Sequence, residues 1–157
     1  MSTTSSLFSL GLAGPTLLSL SPIVVATGAF VMDYNETHVY NPNWPPHARF
    51  HNGQTMSMGV VLAAGALYYT WRAPLLNTTP ATASSQARVK DHLLGAALWA
   101  TVYGFTGLTA ILYPGSKGVD PEFGEDTFPQ KWVFGGAVVV AWVGYALALG
   151  NVKEKVL

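Results

Sequence analysis

Charged side chains cut this chain into long uncharged runs. Positions 1–32, 53–71, 93–116 and 132–152 contain no Asp, Glu, Lys or Arg. Each run reaches the roughly 18–20 residues that carry a helix across about 30 Å of hydrocarbon. A soluble helix would show a polar face recurring every third or fourth position, and none of these runs carries a charged stripe. The pattern predicts four helices, at 9–33, 46–72, 88–113 and 128–151, in one all-α integral membrane four-helix bundle spanning 1–157 as a single transmembrane domain. Pro45 or Pro46 suits the first turn of the second helix. Pro15 fits an early turn of the first, and Pro22 should bend that helix or free a carbonyl within it.

Between the helices lie a segment at 34–45, a Ser/Thr/Ala/Pro linker at 73–87 and an acidic loop at 114–127. The linker has the composition of a flexible exposed tether. Trp71, Trp99, Trp132, Trp142, Tyr68, Tyr69 and Tyr113 sit mostly near run ends, as aromatics do at a bilayer interface. Small residues recur four apart at Gly59 and Ala63, Ala100 and Gly104, Ala137 and Ala141, and Gly144 and Ala148. Such pairs let membrane helices approach closely, which speaks for packing rather than chemistry.

Composition narrows the function classes. The chain has no cysteine, which excludes disulfides, thiolate catalysis and zinc–thiolate sites. Net charge is zero and no basic run exists, so nucleic acid is not an expected partner. The first residues lack the basic start of a secretory signal and read as part of a retained first helix. Four crossings put Arg72, Arg88, Lys90, Lys153 and Lys155 on one side and Arg49, Lys117 and Lys131 on the other. That bias favours cytosolic termini, with residues 33–51 and the acidic loop facing a lumen, in a multi-pass protein of the endoplasmic reticulum. Two glycosylation sequons, at Asn35 and Asn77, fall on opposite faces and cannot fix the orientation.

The chemistry concentrates at 33–51, where Asp33, Glu36, His38, His47, Arg49 and His51 occur in a protein that is 10% charged. Three of the four histidines lie in that stretch, between two apolar segments. Asp33 closes the first helix, where partial desolvation makes a carboxylate a better proton acceptor. An acid in the headgroup zone is also a common way to end a helix, but an ionisable group at membrane depth is a functional suspect by default. The prolines at 42, 45 and 46 force a stiff path before the second helix. His47 and His51 are four apart and share a face that continues through Gln54, whereas Arg49 lies about 200° from His47. Arg49 is free to pair with Asp33 or Glu36, or to meet lipid phosphate.

The His-x-x-x-His spacing raises metal binding, with Glu36 or Asp33 as a third ligand. It is a weak signal alone, and the stronger His-Glu-x-x-His form is absent; no metal or organic cofactor is expected. Asp91 and His92 open the third helix on the other side, where an acid is favoured by the helix dipole. The acidic loop, with Asp120, Glu122, Glu125 and Asp126, reads as a solvated loop rather than a lid.

The stretch NPNWPPHARFHNGQTMSMG resembles a family of small fungal integral-membrane proteins bearing an Asn-Pro-x-Trp-Pro-Pro-His-Ala-Arg-Phe-His signature. The resemblance covers all four helices, although only this stretch is specific. It is similar to membrane epoxide hydrolases of fungal polyketide biosynthesis, of the aurovertin and citreoviridin type. The layout also resembles, architecturally, the sterol isomerases of the emopamil-binding group. These likenesses imply a membrane enzyme of secondary metabolism that opens an epoxide of a hydrophobic substrate. In that reading Asp33 is the base, Glu36 or His38 assists, and His47 or His51 donates a proton or orients water. Tyr34, Asn43, Trp44, Arg49, Gln54, Tyr103 and Trp132 would line the substrate. The alternatives are a cofactor-free isomerase or cyclase, and a non-catalytic membrane protein that binds a lipid or a partner. The expected partners are a hydrophobic small molecule and the bilayer, with self-association left open.

Overall fold

The computed structural model describes residues 4–75, 82–124 and 127–154. Four helices account for most of them: α1 (Thr4–Asp33), α2 (Pro46–Leu75), α3 (Ala83–Thr109) and α4 (Gln130–Glu154). Short 3-10 turns follow at Ala110–Leu112 and Pro121–Phe123. The helices form a ring in which α1 and α3 each pack against both α2 and α4. The protein is an all-α four-helix bundle, as the uncharged runs predict.

The element ends show where local signals outweigh composition. α2 begins at Pro46, where a missing N–H costs nothing because the first turn has no acceptor for it. α3 begins five residues before the expected start. Thr82 Oγ1 accepts the Ser85 N–H (3.1 Å) while Ser85 Oγ accepts the Thr82 N–H (3.0 Å), a capping box that satisfies two donors at once. The end of the supposed tether is therefore the first turn of a helix. Asn77 and its sequon lie outside the described residues. α1 starts at Thr4, so Pro15 and Pro22 both fall inside it.

Three helical stretches are long and apolar enough to cross a membrane: Gly11–Asp33, Ala83–Leu112 and Gln130–Val152. α2 is as long as α1, at 30 residues, but falls short in apolarity. Its charge-free run is diluted by Gln54, Thr55, Ser57 and several glycines. The bundle's outer surface is nevertheless apolar. Val31, Val61, Phe105 and Val139 stand exposed where a water-soluble bundle would carry charge.

Inside, the contacts form three layers. Leu18, Ala73, Val89, Leu93, Ala96, Ala97 and Ala148 cluster at the end holding the start of α3. Ala66, Ala100 and Ala141 fill the middle. Val25, Ala29, Met56, Tyr103 and Ala137 make the third layer, under the end of α1. All eight small residues of the four-apart pairs are buried. α1 and α4 approach most closely: a Cβ on Gly144 would lie 2.8 Å from the Leu18 nitrogen, and one on Gly14 would run into the Ala148 backbone. Ser21 Oγ adds a buried hydrogen bond, donated to the Ala137 carbonyl at 2.7 Å. In a bilayer such packing and interhelical hydrogen bonds replace the hydrophobic drive of water.

On α2 the buried positions are Asn52, Met56, Gly59, Ala63, Ala66, Thr70 and Ala73, spaced alternately four and three. That seam decides which α2 side chains face the interior at the Asp33 end.

Candidate active site

The turn that ends α1 builds the site. The Asn35 Nδ2 donates to the carbonyls of Met32 (2.9 Å) and Val31 (3.3 Å), satisfying acceptors left open at the helix end. Its Oδ1 accepts the Thr37 N–H at 2.8 Å and the Thr37 hydroxyl at 2.6 Å, an Asx turn that reverses the chain. The Val39 N–H then bonds back to the Asp33 carbonyl at 3.1 Å. The reversal places His38 over the end of its own helix, with Nε2 3.8 Å from Asp33 Oδ1. Thr37 Oγ1 lies 2.7 Å from His38 Nδ1. Since the Thr37 proton is directed to Asn35, Nδ1 is the donor to Thr37, and Nε2 is the ring nitrogen turned toward Asp33.

From α2, Asn52 Nδ2 donates to Asp33 Oδ2 at 3.1 Å. Asn52 is only 8% exposed, and its Oδ1 has no hydrogen-bond partner among the described residues. A buried unpaired acceptor is costly, so this atom is a ready place for a donor from water or a ligand. Below it, Tyr103 from α3 lies within electrostatic reach of Asp33 and edge-on to Phe134 of α4. Gly59 leaves Tyr103 its room, since a Cβ there would come 3.2 Å from the ring.

A latch of two loops covers this end. Asn41 is fully buried; its Nδ2 donates to Glu122 Oε1 (3.0 Å), its Oδ1 accepts the Asn43 N–H (2.8 Å), and its carbonyl accepts Arg49 Nη2 (2.6 Å). Asn43 Nδ2 also reaches Glu122, at 3.3 Å. Trp44 Nε1 donates to Asp120 Oδ2 at 2.8 Å, while its ring meets His38 edge-on at 4.8 Å. Hydrogen bonds from Asn41, then Asn43, hold the Glu122 carboxyl below the ordinary glutamate value. The acidic loop is thus bound to the 34–45 segment through two of its acids rather than free in solvent. Glu125 and Asp126 lie outside the described residues.

Several expected site residues stand elsewhere. Asp33, His38 and Trp44 come together; Tyr103 lies in the layer beneath, and Asn43 in the latch. His47 and His51 are exposed and face each other, with Nε2 atoms 3.0 Å apart. Asn52 occupies the inward face of α2, and His51 and His47 lie about 100° and 140° round from it, so they do not converge with Asp33 and Glu36. Gln54 is exposed beside His51, at 3.3 Å from its Nδ1. Glu36 is exposed, and Tyr34 stands exposed edge-on to Tyr40. Arg49 goes to the Asn41 carbonyl rather than to Asp33 or Glu36. Trp132 points outward beneath the Lys131 ammonium, 5.4 Å from its ring centre. Asp91 is exposed at the opposite end of the bundle.

Asn52 is the residue that charge counting overlooks. The stripe Gly59–Ala63 already marks the inward face, and seven residues back along it stands Asn52. Among the described residues no group of three or more His, Cys, Asp or Glu side chains is placed to hold a metal ion.

A family profile described as a family of unknown function (DUF6640) matches residues 17–155, from within α1 through α4. The chain belongs to DUF6640. No curated protein and no solved structure matches it. The DUF6640 match takes in both loops of the latch and every residue of the Asp33 site.

Proposed function

We propose that this chain is a membrane-embedded acid/base enzyme that opens an epoxide of a hydrophobic, polyketide-like substrate. The observation that carries the reading is the Asp33 carboxylate, set between the His38 imidazole and the buried Asn52 amide at the end of an apolar helix. Opening an epoxide needs a base for the nucleophile and an acid for the leaving oxygen. Water donating to Asp33 and to the unpaired Asn52 Oδ1 would lose its proton to Asp33 as its oxygen bonds to the epoxide carbon. The carbon–oxygen bond breaks, and protonated His38 delivers a proton to the new alkoxide, giving a diol. The proton on Asp33 then returns to His38. An internal hydroxyl in place of water gives a cyclic ether by the same steps. The resemblance at 41–59 to fungal epoxide hydrolases supports this chemistry, and the endoplasmic reticulum membrane is the setting it implies.

The test is turnover of a lipophilic polyepoxide by the purified chain in ¹⁸O-labelled water. Hydrolysis puts one labelled oxygen in the diol, whereas cyclisation or isomerisation leaves the product unlabelled. No turnover at all would favour a lipid-binding role. The lumenal placement of the site is tested in sealed vesicles. Tyr40→Cys and Ser84→Cys, introduced into a chain without cysteine, should label from opposite sides.

A further inference from the structure

His47 and His51 stand one helical turn apart on the outward side of α2, with their ring planes at 80° and their Nε2 atoms 3.0 Å apart. Two imidazole nitrogens bound to one ion at about 2.0–2.1 Å are separated by roughly 2.8–3.4 Å between square-planar and tetrahedral geometry, and the 3.0 Å here falls within that range. The helix thus already holds the bite of a chelate, and both rings are exposed for the remaining coordination positions.

The surroundings favour the ligand form of the rings. Gln54 Oε1 can only accept, so His51 Nδ1, 3.3 Å away, is the donor and His51 Nε2 carries a lone pair. Metal-bound histidines are oriented in this way by a partner on the second nitrogen. The nearby cation, Arg49, is committed to the Asn41 carbonyl within the latch. Asn52 marks the level of Asp33 at the end of the apolar span, so His47, more than one turn further out, lies on the aqueous side.

We propose that His47 and His51 form a two-imidazole chelate for a late first-row divalent cation of the Zn(II), Cu(II) or Ni(II) class. With two protein ligands, the other positions are filled by water or a small external ligand. On binding, the His47 Nε2 proton moves to Nδ1, so both Nε2 lone pairs meet the ion without a change of charge on the rings. The site is separate from the Asp33 pair and stands or falls without the catalytic reading.

The experiment is calorimetric titration of the tag-free chain in detergent with Zn(II), together with electron paramagnetic resonance of the Cu(II) form. One equivalent should bind, and the Cu(II) spectrum should show two coupled nitrogens. His47→Gln and His51→Gln should each weaken binding by at least the roughly 10–100-fold that loss of a mere second-shell partner costs. His92→Gln, at the other end of the bundle, should leave it unchanged. Far-ultraviolet circular dichroism of each variant separates loss of a ligand from loss of fold. Absence of saturable binding, or binding that survives both His47→Gln and His51→Gln in folded protein, would overturn the proposal.

Discussion

The two ends of this bundle are built on opposite rules. Around Gly14, Leu18, Gly144 and Ala148 the chains touch backbone to backbone, and the side chains are small and apolar. Around Asp33 the helices carry an acid, an imidazole and a buried amide, and two loops are laced over them by Asn41, Trp44, Asp120 and Glu122. One end holds the helices together by close backbone contact; the other carries polar groups and, among the described residues, leaves two buried acceptors, Asn52 Oδ1 and Gln130 Oε1, without a hydrogen-bond partner. An apolar filling at such positions is often as stable or more so, and that is why these groups support the proposed chemistry.

The largest effect should come from the tight end. Gly144→Leu drives a side chain into the α1 backbone, where overpacking costs roughly 1–3 kcal/mol and more when backbone must move. Thermal unfolding in detergent should show loss of the folded bundle or a large fall in Tm. Asp33→Asn should do the reverse, keeping the fold while lowering epoxide turnover on the order of 10²–10⁴. If Gly144→Leu is tolerated while Asp33→Asn unfolds the protein, the division between the ends is wrong.

The latch should show an intermediate effect with a defined sign. The folded value of Glu122 is lowered, so its contribution is present above the ordinary glutamate range and is lost as pH falls through the lowered value. Protection of the Asn41, Asn43 and Trp44 amides from hydrogen exchange, relative to the intrinsic rate at each pH, should therefore fall on acidification. Glu122→Gln should exchange faster at neutral pH and lose that pH response. The smallest effect should be that of Asp91→Asn, an exposed acid at the far end, which should leave turnover within a few-fold. A loss comparable to that of Asp33→Asn would move the chemistry to the wrong end of the bundle.

The fold was largely legible because uncharged length is a coarse property that survives local irregularity. The small residues four apart marked the buried faces before any contact was known. The start of α3 was hidden because the Ser and Thr that cap a helix are also the composition of a tether; the deciding fact is the reciprocal Thr82–Ser85 bonding. Within the candidate site, Asp33, His38 and Trp44 stood out by charge and by their proline-rich setting. Asn52 did not, because an amide counts as neither charge nor apolar residue and reveals itself through the face it occupies. The bond from Asn41 to Glu122 joins positions 81 apart in sequence, and no local pattern announces such a pairing.

The filled layers beneath the site should make the proposed chemistry one-sided. Leu18, Ala66, Ala97, Ala100 and Ala141 are at most 3% exposed and form an apolar stretch between the far end of the bundle and Asp33. Such packing should admit protons to that carboxylate from one side of the membrane alone. In a sealed vesicle the proposed turnover should therefore answer to the pH of a single compartment and ignore that of the other.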